Sequence, residues 1–389
     1  MCKSFEKIII ENSKLLEEIR KIREEDLDNL FSLWDKAQKN LESHGINVHV
    51  LGHEEALRLI DELIDEPLVV KSKSNISKEL CLKEHLRKRS IEVIETDFGD
   101  HISDLLGYES SHPILPLYGL DFERIKELLN EKGINIATEE ELKNYVVKRV
   151  KEAIFKSNIG ITGANFISSD GRIFLIENEG NISLVSRLPR VHIVLASFEK
   201  ITKDYETGIK LSVAQTLFST ERPYTSYLNV ISAPSSSKDI PNKTLKGLYG
   251  AKEVHLIVID GNRSKIYDSE FKEVLKCINC GSCSRFCFVH CKERQGFEHP
   301  GIKGIAYALY RRPWDEIAEK VYNCSLCGLC EHVCPVAIRW TDVIRVIRSK
   351  VLAMGLGPKS LYEMKDRIMK TNVPVVLDEK QDDFEFYCC

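Results

Sequence analysis

No stretch of this 389-residue sequence is apolar for long enough to span a bilayer. Its opening residues, MCKSFEKIIIENSKLLEEIRK, hold only a short Ile run amid charges, so the apolar core of a secretion signal is missing. Positive charge is not in excess: 55 Lys and Arg stand against 59 Asp and Glu, a formal net charge of −4. That balance gives no electrostatic reason to expect nucleic acid as a partner. Also missing is a strand–GxGxxG–helix fingerprint, the usual means of holding a hydride-accepting dinucleotide. These absences lead us to expect a cytoplasmic protein, with peripheral attachment to a membrane through a partner left open. What remains is ordinary for a globular chain, with 43% apolar and 29% charged residues and enough length for two or three compact domains.

Cysteine is abundant. There are 13, and nine of them lie between Cys277 and Cys334; only Cys2, Cys81, Cys388 and Cys389 lie outside. In a cytosolic chain such crowding suggests metal or redox chemistry and not a disulfide framework.

The pattern of apolar residues divides the chain into an amino-terminal helical segment (1–45), an α/β domain (46–268), a cysteine-rich helical domain (269–356) and a tail (357–389). Leu15, Leu16, Ile19, Ile22, Leu27, Leu30 and Leu33 recur at helical spacing, and Gly45 stands where a helix would stop. Short β-branched runs then alternate with amphipathic helices: NVHVL at 47–51, a helix from Glu54, PLVV at 67–70, a helix around Lys78–Lys88, and IEVIET at 91–96. That alternation predicts a largely parallel sheet. A helix over Glu139–Lys156 leads into NFISSDGRIFLIENEG, where Ser-Asp-Gly between two apolar runs predicts an antiparallel turn. VHIVLASF at 191–198 and VHLIVIDG at 254–261 read as buried strands. Beyond Asp268 no strand-like run occurs before the acidic tail, and WTDVIRVIRSKVLAMG at 340–355 reads as a helix.

Within the helical domain two cysteine runs repeat one another: C277-x2-C280-x2-C283-x3-C287, and C324-x2-C327-x2-C330-x3-C334 followed by Pro335. Both match the bacterial ferredoxin spacing in every cysteine. A cubane needs one thiolate on each iron. A short loop with two-residue gaps wraps three corners, and the fourth corner is supplied by the last Cys of the other run. One [4Fe–4S] cluster is therefore expected on Cys277, Cys280, Cys283 and Cys334, and a second on Cys324, Cys327, Cys330 and Cys287. Structural zinc is the competing reading, but zinc sites take ligands as two pairs parted by a longer loop. Phe288 stands where the first run would carry its Pro, and we expect it to alter a potential without removing a ligand. Cys291 falls outside the ligand spacing and reads as an ordinary shielded thiol, the alternative being that it replaces Cys287. His290 reads as packing. Between the runs, GIKGIAYALYRRPWDEIAEKVYN is helical material, which suggests an all-α two-cluster ferredoxin module of the kind found in respiratory reductase subunits.

In the α/β part, polar residues gather where strands should end: Lys71, Lys73 and Ser74; Thr162 and Asn165 in GITGANF; Glu177, Asn178 and Glu179 in IENEGN. Strand carboxyl ends are where such sheets bind ligands. The lysines and serine suit a phosphate or carboxylate, and Gly160 and Gly163 allow close backbone approach. Glu177 and Glu179 are candidates for acid/base or covalent work. Polar turns that merely satisfy backbone groups would look the same, so no catalytic residue is assigned.

VVKSKSNISKE, IEVIETDFGDHI, SSHPI, GITGANF, IENEGN, LPRVHIVLASFEKI and KCINCGSC, in this order, resemble the lactate utilisation protein B family from about residue 20 to 355. The resemblance implies a sugar-phosphate isomerase/CoA-transferase-like fold for the α/β domain. It also implies work in a three-component iron–sulfur complex that oxidises L-lactate to pyruvate. The other components would be a cysteine-rich-domain iron–sulfur protein and a second lactate-utilisation-domain protein. Phe288 and the Cys388-Cys389 tail depart from the family pattern. Taken alone, YNCSLCGLCEHVCPVAIRWTDVIRVIR also resembles the small ferredoxin subunit of heterodisulfide reductases, which would place the chain among subunits acting on thiols or disulfides. A third reading makes the α/β domain itself an enzyme on an acyl or phosphorylated ligand, with Glu177 or Glu179 as its working carboxylate.

Overall fold

The computed structural model describes residues 3–108, 116–117, 119–287, 289 and 301–374. Phe288, His290, Cys291, Cys2, Cys388 and Cys389, and the SSHPI segment, lie outside them.

Six parallel strands form the central sheet: β1 (Asn47–Leu51), β2 (Leu68–Lys71), β3 (Glu92–Glu95), β4 (Ile159–Gly163), β7 (Val191–Ser197) and β12 (Glu253–Ile259), in the order β1-β12-β7-β4-β2-β3. The continuous apolar runs at 191–198 and 254–261 are explained by burial on both faces. Ile193 and Leu195 of β7, with Ile257 and Ile259 of β12, face one core, in which Ile60 and Leu86 belong to the covering helices His53–Leu63 and Leu82–Lys88. The residues between them, Val194, Ala196, Leu256 and Val258, face the opposite core. On that second side a smaller sheet packs: β5 (Phe166–Ser168), β6 (Arg172–Glu177), β8 (Ile201–Thr202) and β9 (Tyr227–Ile231), ordered β8-β5-β6-β9. β5 and β6 pair antiparallel around the Ser-Asp-Gly turn, where Gly171 takes φ +83. A two-residue ribbon, β10 (Ser236–Ser237) with β11 (Leu245–Lys246), lies apart from both sheets. The helix expected over Glu139–Lys156 has those bounds, with the Thr138 side chain accepting from the Glu141 amide.

One expected helix is two. Asn75–Glu79 and Leu82–Lys88 are separated at Cys81, which sits in the left-handed region at φ 47. Leu80 and Leu82 both belong to the same buried core. Residues two apart on an uninterrupted helix point to opposite sides, so the break is what lets both be buried.

Among the described residues beyond β12 the regular elements are helices, and no helix of the described residues is long and apolar enough to cross a membrane. The cysteine runs are not a separate globule hung on the α/β part. One apolar core runs without interruption from Phe5, Leu16 and Ile19 through Phe218 and Leu211 to Leu275, Ile278 and Trp340. The helices Lys3–Glu11, Ser13–Asp28 and Leu30–Ser43 fill the angle between sheet and cysteine runs. Phe5 meets Phe218 at 5.8 Å and Phe286 at 4.7 Å between ring centres.

Arg23, only 1% exposed, locks this junction. It donates to the carbonyls of Glu199 (2.7 Å), Ile201 (2.9 Å), Leu275 (3.0 Å) and Lys276 (3.1 Å), and pairs with Asp26 at 3.0 Å. Removing one member of such a buried polar group strands the others away from water. We predict that Arg23→Ala lowers stability by about 3–5 kcal/mol, read from denaturant midpoints; a variant as stable as the parent would show the junction to be dispensable.

Candidate functional site

The two cysteine runs fold as copies of one loop. In the first, Asn279 (φ 60) and Gly281 (φ 78) take left-handed backbone; in the second, Leu326 (φ 56) and Gly328 (φ 77) do so at the same two steps. The Asn279 amide donates to Cys277 Sγ at 3.3 Å, and the Leu326 amide donates to Cys324 Sγ at 3.4 Å. Each loop runs into a one-turn helix, Ser282–Arg285 or Leu329–His332, that carries its third thiol. A leucine held left-handed costs about 1–2 kcal/mol. Packing sustains that strain because it turns successive thiols toward one centre.

The thiols fall into two neighbourhoods. Cys283 feels the charges of Cys277, Cys280 and Cys334, whereas Cys330 feels those of Cys324, Cys287 and Cys327. Cys287, Cys324, Cys327 and Cys330 line one small cavity with Ile302, Ile305 and Thr341. The last thiol of each run thus sits with the other run's first three. Burial, with the neighbouring thiols, pushes Cys330 and Cys334 up to about 12 and Cys283 well above the usual thiol range. Thiols in so dry a place ionise only against a compensating positive charge, which cluster irons supply. Among the described residues no three His, Cys, Asp or Glu side chains are grouped to share one metal ion, as a mononuclear zinc centre requires. A cubane instead distributes its thiolates over separate irons, and the donor set present fits it. The two neighbourhoods differ in exposure: Cys277, Cys280, Cys283 and Cys334 are buried, while Cys324 and Cys287 are half-buried and Cys327 is exposed.

The polar residues at the strand ends of the α/β part do not form one site. Lys71, at the end of β2, is buried and paired with Glu95 of β3 at 2.6 Å. Lys73 Nζ pairs with Asp100 at 3.1 Å, and its amide donates to Asp97 Oδ2 at 2.6 Å. Ser74 caps the following helix through the Ser77 amide. Its side chain lies where a Cβ on Gly163 would come within 2.7 Å, so the close approach expected at that glycine is real. Thr162 turns the other way, to His192 Nε2 at 2.8 Å. Asn165 bonds Gln215, whose side chain reaches the Asn279 carbonyl of the first cysteine loop at 3.4 Å. Glu177 is buried; it accepts from the Ser183 amide (2.8 Å), the Ser183 hydroxyl and Asn229 (2.7 Å), work that secures the turn into the helix Asn181–Arg187. Asn178 accepts from Thr225 and Ser226, and Glu179 accepts from the Phe98 amide at 2.9 Å.

The geometry does join Lys73 and Glu179 to residues the sequence reading passed over. Asp97 lies between them, accepting also from Asn181 Nδ2 at 3.2 Å, and burial pushes its carboxyl up to about 6. Beside this group opens a cleft of 1410 Å³, polar at Thr96 and Glu179 and apolar along Phe98, Ile102, Leu142 and Val146. The clue was legible in IETDFGDHI, where acidic residues directly follow a strand.

A second polar group, entirely buried, links the α/β domain to the cysteine runs. Arg263 forks onto Glu79 at 2.9 and 2.8 Å and pairs with Glu199 at 2.6 Å. Tyr307 donates to Glu199 at 3.3 Å. Next to Glu199, Lys200 is buried, and burial pushes its amine down to about 7.

Comparison with known proteins divides the chain along similar lines. The LUD domain model matches residues 34–259, and the 4Fe-4S dicluster domain model matches 273–338. Lactate utilization protein B 1 of Bacillus mycoides (strain KBAB4) is 31% identical over 358 residues, spanning 88% of this chain and 71% of its own. Lactate utilization protein B of Bacillus subtilis (strain 168) is 29% identical over 388 residues, 92% of this chain and 79% of its own. A protein described as an uncharacterized electron transport protein, YkgF of Escherichia coli (strain K12), is 29% identical over 349 residues, 87% and 72% of the two chains.

Asp97 provides a test at the cleft. Its folded-state value of about 6 lies above its ordinary 3.8, so the folded protein holds this proton more tightly than the unfolded one. Stability should therefore fall as pH rises from about 4 through about 6. The loss is up to about 3 kcal/mol, reduced by the water at its partly open edge. Asp97→Asn should flatten that part of the pH–stability curve; equal slopes in both proteins would refute the assignment.

Proposed function

The chain belongs to the lactate utilization B proteins, a LUD domain joined to a 4Fe-4S dicluster domain, and on that premise we propose that it is the iron–sulfur electron-transfer subunit of a complex oxidising L-lactate, or a related 2-hydroxy acid, to pyruvate. The observation that carries the reading is the pair of thiol neighbourhoods built from crossed loops. In this reading Cys277, Cys280, Cys283 and Cys334 hold one [4Fe–4S] cluster, and Cys324, Cys327, Cys330 and Cys287 hold the other. When bound, such clusters take up and pass on single electrons. The short loops would hold the thiolates of each cluster, and the apolar core that the two runs share would fix the two centres relative to one another.

Oxidation of a 2-hydroxy acid releases an electron pair and two protons, and needs a group that accepts the pair. With no dinucleotide fingerprint in the chain, we place that step on, or shared with, a partner: a cysteine-rich-domain iron–sulfur protein or a second lactate-utilisation-domain protein. The α/β domain supports the assembly, under this reading, as a sugar-phosphate isomerase/CoA-transferase-like platform. Glu177 is fully engaged in holding Ser183 and Asn229, which favours a structural carboxylate over a working one.

Two measurements test the proposal. Protein purified without oxygen should hold about eight irons per chain, and Cys330→Ala about four, with electron transfer through the assembly lost. Full iron and full activity in that variant would refute the wiring. Purification from the native cells should bring down a cysteine-rich-domain chain and a second lactate-utilisation-domain chain. Recovery instead of heterodisulfide-reductase-like subunits would move the protein to thiol or sulfur chemistry.

A further inference from the structure

The two cysteine loops share their backbone but differ at the residue two steps beyond the first thiol. That residue is Asn279 in one loop and Leu326 in the other, and both take left-handed backbone, at φ 60 and φ 56. In each loop its amide donates to the first sulfur, Cys277 Sγ at 3.3 Å or Cys324 Sγ at 3.4 Å. Asn279 adds a polar side chain at the same place: the Cys277 thiol donates to its Oδ1 at 3.9 Å. Leu326 has nothing polar to offer there.

The direction of that contact depends on the state of the sulfur. A thiol has a hydrogen to give, whereas a thiolate bound to iron only accepts. Half a turn of the side-chain amide exchanges Oδ1 for Nδ2, and no other hydrogen bond of this side chain among the described residues opposes the turn. The rest of Asn279 is held. Its carbonyl accepts from Gln215 Nε2 at 3.4 Å, Gln215 Oε1 accepts from Asn165 Nδ2 at 3.0 Å, and Asn165 Oδ1 accepts from the Ile176 amide at 2.8 Å. The α/β domain therefore fixes the peptide from which the side chain reaches the sulfur. Ser282 is no such donor: its Oγ is 3.5 Å from Cys280 Sγ but gives its one hydrogen to the Phe218 carbonyl at 2.6 Å. Ser284, 3.9 Å from Cys283 Sγ, faces a different sulfur and is left unaltered in the test below.

We propose that the Asn279 side chain is a second hydrogen-bond donor to the Cys277 sulfur and raises the reduction potential of the cluster held there, an increment that Leu326 withholds from the cluster on Cys324. This rests on the reading above, in which both sets of thiols hold clusters. Reduction adds negative charge that the cysteine sulfurs share, so a donor aimed at a sulfur stabilises the reduced form more than the oxidised one. Asn279 tunes a potential in this way and takes no part in making or breaking bonds of a substrate.

The test is an EPR-monitored redox titration, with dithionite as reductant, of the full-length protein purified without oxygen. Cys277→Ser and Cys324→Ser assign the two signals beforehand, each perturbing one of them. Asn279→Gly removes the side chain and suits positive φ, so the backbone amide stays on the sulfur. It should make the Cys277 cluster about fivefold harder to reduce at a given ambient potential, a downward shift of about 40 mV at about 59 mV per tenfold for a one-electron couple. Leu326→Asn should move the Cys324 cluster upward by a similar amount, and each variant should leave the other cluster's midpoint in place. Should Asn279→Gly fail to accumulate, Asn279→Leu gives the first loop the residue that the second already carries at that φ, and is read in the same way. An unmoved midpoint in a fully iron-loaded variant of either loop, or equal movement of both midpoints in one variant, would overturn the role of Asn279 alone. Wild-type protein lacking a cluster at Cys277 would overturn the functional reading and this inference with it.

Discussion

A cubane can assemble only where the thiols already converge, and at the first cysteine loop that convergence is held by one guanidinium. Arg23 gathers the carbonyls of Glu199 and Ile201, at the end of the main sheet's β7 and the start of β8, with those of Leu275 and Lys276, immediately before Cys277. These groups lie in three parts of the chain, and all but the half-buried Lys276 are buried. Each carbonyl would be left unsatisfied if the loop moved away. The loop therefore cannot drift from the sheet without breaking several charge-assisted bonds together. Trp34, donating to the Phe198 carbonyl at 2.7 Å, and Arg20, donating to the Pro335 carbonyl at 3.2 Å, extend the same arrangement to β7 and to the second run.

The features legible in the sequence are those whose causes are local. Cysteine spacing reflects the size of a cubane and the reach of a short loop, so the two runs stood out before any fold was known. Strands β7 and β12 could be read because burial on both faces leaves an unbroken apolar run, and the β5–β6 turn because Gly171 must accept positive φ. The α/β strand ends were located correctly as positions, but the roles of their side chains were not legible. Lys71 looks like an anion-binding lysine until Glu95, 24 residues away, is seen beside it. Glu177 looks like a free carboxylate until Asn229, 52 residues on, is found to donate to it. The break at Cys81 was missed for a related reason: the pattern of Leu80, Leu82 and Leu86 satisfies no single helix and makes sense only against the finished core.

Repetition and difference coexist in the cysteine loops. Both use left-handed backbone at the same two steps, although one spends an Asn and the other a Leu on the first. Asn tolerates that conformation better than Leu, so the second loop carries the greater strain and leans more on its surroundings: the pairing of Glu331 with Thr341, and Arg348 donating to the carbonyls of Val321 and Cys324. The first loop is held from outside by Arg23 and Gln215 and is the more deeply buried. A single local motif thus yields two chemically distinct environments, because the body of the protein encloses one loop and only borders the other.

The helices at 3–43 have their own consequence for how the protein is made. Their partners include Phe198, Glu199 and Ile201 of the α/β part and, much later in the chain, Lys276, Phe286 and Pro335, the last 315 residues beyond Arg20. Translation at about 5–20 residues per second means about 15–60 s pass before the last of the surface they dock on has been synthesised. During that interval the apolar stripe through Leu16, Ile19 and Leu27 has only the part of its cover that the α/β elements around Ile201 and Leu211 provide, and it is completed when the cysteine runs emerge.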